Sequence, residues 1–175
     1  MENVIALAFS RVEQAREGVR ELQHLHRSGQ LRLEAVAVIE RAEDGRVFVL
    51  EEAEEVAPKG TVGGGLIGAV VGLLTGPVGL VVGAATGALI GSLVDAAEGE
   101  DSEGVLRWLG RAVPPGHSAA IGLVVETTPA AVDALAWDLG VPALRRSRDQ
   151  IEQEIAEAEA EAKGGGSDRK GEGAR

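Results

Sequence analysis

Cysteine and tyrosine are both absent from the 175 residues. Without cysteine there are no disulfides and no thiolate metal sites, which fits a cytosolic or cytosol-facing protein. Aromatic side chains are reduced to Phe9, Phe48, Trp108 and Trp137. Any core must therefore be built from Val, Leu, Ile and Ala, and the two tryptophans, both in helical patterns, read as core or interface residues. Positive charge is in short supply: 17 Lys and Arg face 28 Asp and Glu, for a net charge of −11 and a pI near 4.8. A chain this acidic repels a phosphate backbone, so nucleic acid is excluded as a general partner. No signal peptide is expected either, because Met1-Glu2-Asn3 has no basic region and the apolar run over 4–9 is too short.

Histidine is nearly as scarce, with three in the chain. His24 and His26 stand two apart on a helical stretch, so they point to different faces and cannot form an i, i+4 metal pair. They read as solvated surface residues, and His117, after Pro114-Pro115-Gly116, as a loop residue. Carboxylates are abundant but come in runs, Glu51 to Glu55 and Glu152 to Glu161, of the kind that keeps a surface solvated. No Ser-His-Asp or Cys-His arrangement suggests itself, and nothing pairs a buried acid with a nucleophile or base. The expectation is a non-enzymatic chain with no catalytic residues, no cofactor and no metal.

What is present falls into two patterns. Residues 4–9 form a short apolar run suited to a buried strand. Ser10 is a candidate N-cap, and Val12, Ala15, Val19, Leu22 and Leu25 then mark one helical face that Gly29 ends. Residues 33–39 and 47–50 read as a hairpin around Glu43-Asp44-Gly45. The same grammar returns late: a strand over 119–125, Thr128 as N-cap with Pro129 at N1, and a helix carrying Val132, Leu135, Ala136 and Leu139. Gly140 closes that helix, and 141–144 form a candidate last strand. Two strand–helix–strand units of this kind predict an α+β fold, a ferredoxin-like sheet with helices on one face. A short amphipathic helix is expected over 103–112, with Val105, Leu106 and Leu109 inward. A Glu-rich helix follows over 149–163, with Ile151, Ile155, Ala158 and Ala162 on one stripe.

The middle of the chain departs from this scheme. Residues 60–94 contain no charged side chain. Glycine recurs every fourth position, first at Gly64, Gly68, Gly72 and Gly76, then at Gly79, Gly83, Gly87 and Gly91, with Gly76-Pro77 as a natural reversal. Two helices of about 15 residues joined by a tight turn are the simplest reading. Each glycine costs a helix up to about 1 kcal/mol relative to alanine, and close packing of two flat glycine grooves offsets that cost. The eight glycines are thus the candidate helix-packing and oligomerisation residues. An uncharged hairpin must leave water, and a bilayer, the centre of an oligomer, or the chain's own domain could each receive it. Each arm would span only about 22 Å against a hydrocarbon core of about 30 Å, and the acidic flanks lack aromatic or basic anchors. Gly63-Gly64-Gly65-Leu66-Ile67-Gly68 matches G-x-G-x-x-G, but Pro58 precedes it where a strand is required, and no acid follows about 20 residues on. Helix packing explains these glycines better than nucleotide binding.

The opening strand at 4–9, the turn at Asp44-Gly45, the glycine-rich insertion and Pro114-Pro115-Gly116-His117-Ser118-Ala119-Ala120 together resemble a family of uncharacterised bacterial proteins that carry a domain of unknown function. The resemblance spans residues 4–147, leaving the Glu-rich helix and the tail outside. It implies the same fold and membrane association, and brings no catalytic residues. The expected organisation is a split α/β domain (1–59 and 95–148) around the hairpin (60–94), then the Glu-rich helix (149–163) and a disordered tail (164–175). The expected function is that of a membrane-associated or self-assembling structural protein, whose partners are other copies of itself and the lipid bilayer, with its α/β domains in the cytoplasm. The alternatives are a cytoplasmic soluble oligomer and a soluble regulatory or small-ligand-binding module.

Overall fold

The structure is a computed structural model that describes residues 1–44, 46–52, 112–154 and 156. The expected glycine hairpin, the helix over 103–112 except for its last residue, and the disordered tail lie outside the described residues. Five strands and three helices make up what is described: β1 (Glu2–Phe9), α1 (Val12–Arg27), β2 (Arg32–Arg41), β3 (Val47–Glu52), β4 (His117–Val125), α2 (Ala130–Asp138), β5 (Leu144–Ser147) and α3 (148–154). The strands form one sheet in the order β3-β2-β4-β1-β5, and every neighbouring pair is antiparallel. The fold is therefore α+β. β4 lies between β1 and β2, and β1 lies between β4 and β5, so each strand–helix–strand unit brackets one strand of the other.

Alternation along the strands assigns the two faces. On the first face Ile5, Leu7 and Phe9 of β1, Val36 and Val38 of β2, and Ala120 and Val124 of β4 pack with Ala15 and Leu22 of α1 and with Val132, Leu135 and Ala136 of α2. Val12, Val19 and Leu25 flank this core from α1, as the spacing predicts. Both of these helices run into a glycine in the left-handed region, Gly29 at φ 76° and Gly140 at φ 70°, where a Cβ would be strained.

Helix starts differ from expectation. Arg11, not Ser10, occupies the N-cap of α1, and Pro129, not Thr128, that of α2; neither cap makes a side-chain hydrogen bond. Ser10 instead directs its hydroxyl to Gln14 Oε1 at 3.3 Å. The last strand also moves: β5 is Leu144–Ser147 rather than 141–144. Val141 and Ala143 pack against the core from the connection, while Leu144, Arg145, Arg146 and Ser147 pair with β1. The apolar residues there mark a packed loop, and the polar ones mark the strand.

Candidate functional site

The eight candidate packing glycines, Gly64 to Gly91, all fall outside the described residues. Among the described residues, the most developed polar arrangement is at the far end of β4. Glu126 follows eight apolar or small residues of that strand and continues its pairing: its N–H donates to Met1 O at 3.0 Å, and the Met1 ammonium donates to its carbonyl at 2.7 Å. The ladder carries the side chain to the first face, where it is only 1% exposed. Its Oε1 accepts from Asn3 Nδ2 at 3.0 Å and from Arg145 Nε at 2.9 Å. Its Oε2 is buried without a hydrogen-bond partner.

Arg145 organises the cluster. Besides Glu126 it reaches Asp133 Oδ1 of α2 at 2.6 Å and the Pro129 carbonyl at 3.0 Å. One guanidinium thus joins β5, the end of β4 and the first turn of α2. Burial pulls its pKa down, but the hydrogen bonds to Asp133 and then Glu126, with their charge, more than offset that and hold it above its ordinary value. A planar fork with several donors suits such a junction. The partners of the Glu126 carboxylate are the Asn3 amide and the Arg145 guanidinium. The arrangement clasps β1, the end of β4, α2 and β5 together.

Sequence reading, which looked for a buried acid beside a nucleophile or base, did not single out Glu126. The signal was its position, the first carboxylate after the apolar run over 119–125. Arg145 gave less warning, since it sits among arginines at 145, 146 and 148. A second, more exposed set of ion pairs spans the other side: Arg148 reaches Glu2 at 3.0 Å, Glu34 at 3.5 Å and Glu152 at 2.6 Å, and Arg146 reaches Glu154 at 3.3 Å. The hydrogen bond to Glu152 is the main reason that the pKa of Arg148 is raised.

His26 also departs from expectation. It is half-buried, and its Nδ1 accepts the Leu33 N–H at 3.1 Å, tying the end of α1 to the start of β2. His24 is exposed, as read. His117 sets its Nδ1 3.0 Å from the Pro115 carbonyl. Trp137 is not a core residue, being 85% exposed on α2; Trp108 lies outside the described residues. Among the described residues no group of three or more His, Asp or Glu could hold a metal ion, and no helix is long and apolar enough to cross a membrane.

No curated protein and no solved structure matches the chain. A family model does match, over residues 61–159, and its description is "Protein of unknown function (DUF1269)". The match begins within the glycine-rich stretch, later than the resemblance at 4–147, and extends into the Glu-rich helix that the resemblance left out. It covers more than half of the sequence, including Glu126, Arg145 and all eight glycines, and the chain belongs to this family of unknown function.

Proposed function

We propose that the chain is a non-enzymatic structural protein, membrane-associated or self-assembling, in which a ferredoxin-like domain carries a glycine-zipper hairpin between β3 and β4. The observation that carries the reading is the completeness of the sheet on either side of the insertion. β3 pairs with β2 through Glu52 and β4 pairs with both its neighbours along its length, so the described strands on either side of the insertion form one continuous ladder. The order β5-β1-β4-β2, with β3 added at the edge, supports the ferredoxin-like assignment. An uncharged stretch with glycine at every fourth position is then free to pack through its grooves, with other copies or within lipid. The acidic α/β domain stays in water, on the cytoplasmic side of any membrane.

The test is fractionation of the full chain expressed in a bacterial host, followed by an alkaline carbonate wash of the membranes. Retention in the washed pellet, with aggregation controlled for, is the result expected of an inserted hairpin. A defined large species in the supernatant is the result expected of a core between copies. Replacing Gly68 and Gly72, or Gly83 and Gly87, by Leu should disrupt either assembly. A monomer in the supernatant, or an assembly that those variants leave unchanged, refutes the reading.

A further inference from the structure

β5 and α3 bring little apolar surface to the sheet. Of residues 144–154 only Ile151 is buried, and all four residues of β5 are half-buried. Ion pairs of two kinds add to that small hold. Arg146 with Glu154, at 3.3 Å, ties β5 to α3, and Arg148 with Glu152, at 2.6 Å, braces α3 itself, so the two elements form one piece. Arg145 and Arg148 then tether the piece to the sheet, Arg145 through Glu126, Asp133 and the Pro129 carbonyl, and Arg148 through Glu2 and Glu34. The side chains of Asp133 and Glu2 are 55% and 42% exposed, and ion pairs as open as these contribute little each. The lead into the piece is short. The Val141 N–H closes α2 by donating to the Ala136 carbonyl at 3.0 Å, and Pro142 and Ala143 then run into β5.

The backbone pairing of β1 can be followed amide by amide. Met1 and Glu126 exchange both of their hydrogen bonds across β1 and β4. Bonded and non-bonded pairs alternate along an antiparallel ladder. By the register, Asn3 and Ile5 therefore exchange bonds with Val124 and Gly122 of β4. Val4 and Ala6 point the other way and exchange bonds with Arg146 and Leu144 of β5. One strand thus carries two sets of amides, one turned to the middle of the sheet and one to its margin.

We propose that β5 and α3 form a strap that opens from the margin of β1 as one unit while the rest of the sheet stays folded. Little apolar area and partly exposed tethers hold the strap, whereas α1 meets the sheet through fully buried side chains such as Leu22. Local opening follows such differences in buried contact. The pairs Arg146–Glu154 and Arg148–Glu152 lie within the strap and survive its opening; the bonds of Arg145 to Glu126 and of Arg148 to Glu2 are the ones that break. Opening bares the N–H and C=O groups of Val4 and Ala6, an unpaired row of the kind to which an extended chain adds. The strap is therefore the element that governs access to this edge of the sheet.

Hydrogen exchange of the full chain, followed by NMR, tests this. The protection factors of Val4, Ala6, Leu144 and Arg146 should agree with one another and lie at least about tenfold below those of Asn3 and Ile5. Low urea should reduce the protection of Asn3 and Ile5 steeply and that of the strap amides only slightly, because opening the strap exposes little surface. Leu22→Ala should weaken Asn3 and Ile5 and leave the strap amides unchanged, since Leu22 stays buried when the strap opens. Arg148→Met, a change in α3, should lower all four strap amides by one common factor of about two- to fivefold. Equal protection of the two sets in wild type overturns the proposal, as does a urea dependence that they share or a loss in Leu22→Ala that falls on both alike. Strap amides unmoved by Arg148→Met overturn it too, because α3 would then let go without β5. The urea series needs no variant, so it decides the matter even if Leu22→Ala fails to fold.

Discussion

The two strand–helix–strand units of the sheet are the same idea executed with different materials. β1, α1 and β2 are long, at 8, 16 and 10 residues, and meet through buried Ile, Leu, Val and Phe side chains. α2 and β5 are only 9 and 4 residues long, and β5 reads Leu-Arg-Arg-Ser. A strand so short buries little apolar area, and what fixes it is a guanidinium shared among β4, α2 and β5. The comparison teaches that one topology tolerates a hydrophobic solution and an ionic one within a single sheet, each with its own way of failing.

The hydrophobic unit should break hardest. Leu22 is fully buried between α1 and the sheet, and Leu22→Ala should cost about 3 kcal/mol through lost burial and the cavity left behind. The loss is expected as a lower midpoint of the whole transition in urea. Next in size is Arg145→Met, which leaves the Glu126 carboxylate buried without its cation. Since 21% of the Arg145 side chain is exposed, a cost of about 2 kcal/mol is expected, below that of a fully buried pair. Adding Glu126→Leu should recover most of it, because two apolar groups need no compensation. Hydrogen exchange at the β5 amides should rise selectively in Arg145→Met. If both single variants instead unfold the whole sheet alike, the two units are not held differently.

The same contrast explains what was legible in the sequence. The face of α1 could be read residue by residue, because burial repeats every three or four positions from Val12 to Leu25. β1 and β4 were legible as apolar runs. β5 was displaced by three residues because hydrophobicity was the guide: Val141 and Ala143 are partly buried from a loop, while Arg145 and Arg146 are among the residues that pair. Glu126 was missed for a related reason, since a carboxylate discloses a buried partner only through a residue 19 positions away. Pattern reading finds structure where area does the work, and loses it where one specific pair does.

A smaller effect sharpens the comparison at the joints rather than in the cores. Gly29 has φ 76° and open space where a Cβ would go, so Gly29→Ala meets backbone strain and no collision. It should cost about 1 kcal/mol, read from the urea midpoint. Gly18 is the reverse case, with an ordinary helical backbone and a tight neighbour. An added Cβ would stand 3.2 Å from the Phe9 ring and 3.4 Å from Ala120 Cβ. The helix-propensity gain of about 1 kcal/mol should be largely cancelled as the ring gives way, leaving Gly18→Ala near neutral.

The smallest expected effect belongs to an ionic contact that, unlike Arg145, sits in water. In the β2–β3 hairpin the Arg46 N–H donates to Asp44 Oδ1 at 3.1 Å and its Nε to Oδ2 at 2.6 Å, while the guanidinium lies 5.5 Å from the centre of the Phe48 ring. The Arg46 backbone donor is the main reason that the Asp44 carboxyl is held below its usual value; desolvation opposes it, and the hydrogen bond and charge of the Arg46 side chain add to the lowering. A carboxyl depressed in the folded state contributes stability above its unfolded pKa, and loses it as the pH falls through the folded one. The stability difference between wild type and Asp44→Asn should therefore be slight at neutral pH and vanish in acid, with the carboxyl titration followed by NMR. Both side chains are about half exposed, so added salt should also shrink the difference. The Arg145 clasp, shielded by the sheet, should keep most of its effect at the same ionic strength. Equal salt sensitivity at the two sites would mean that burial does not separate them.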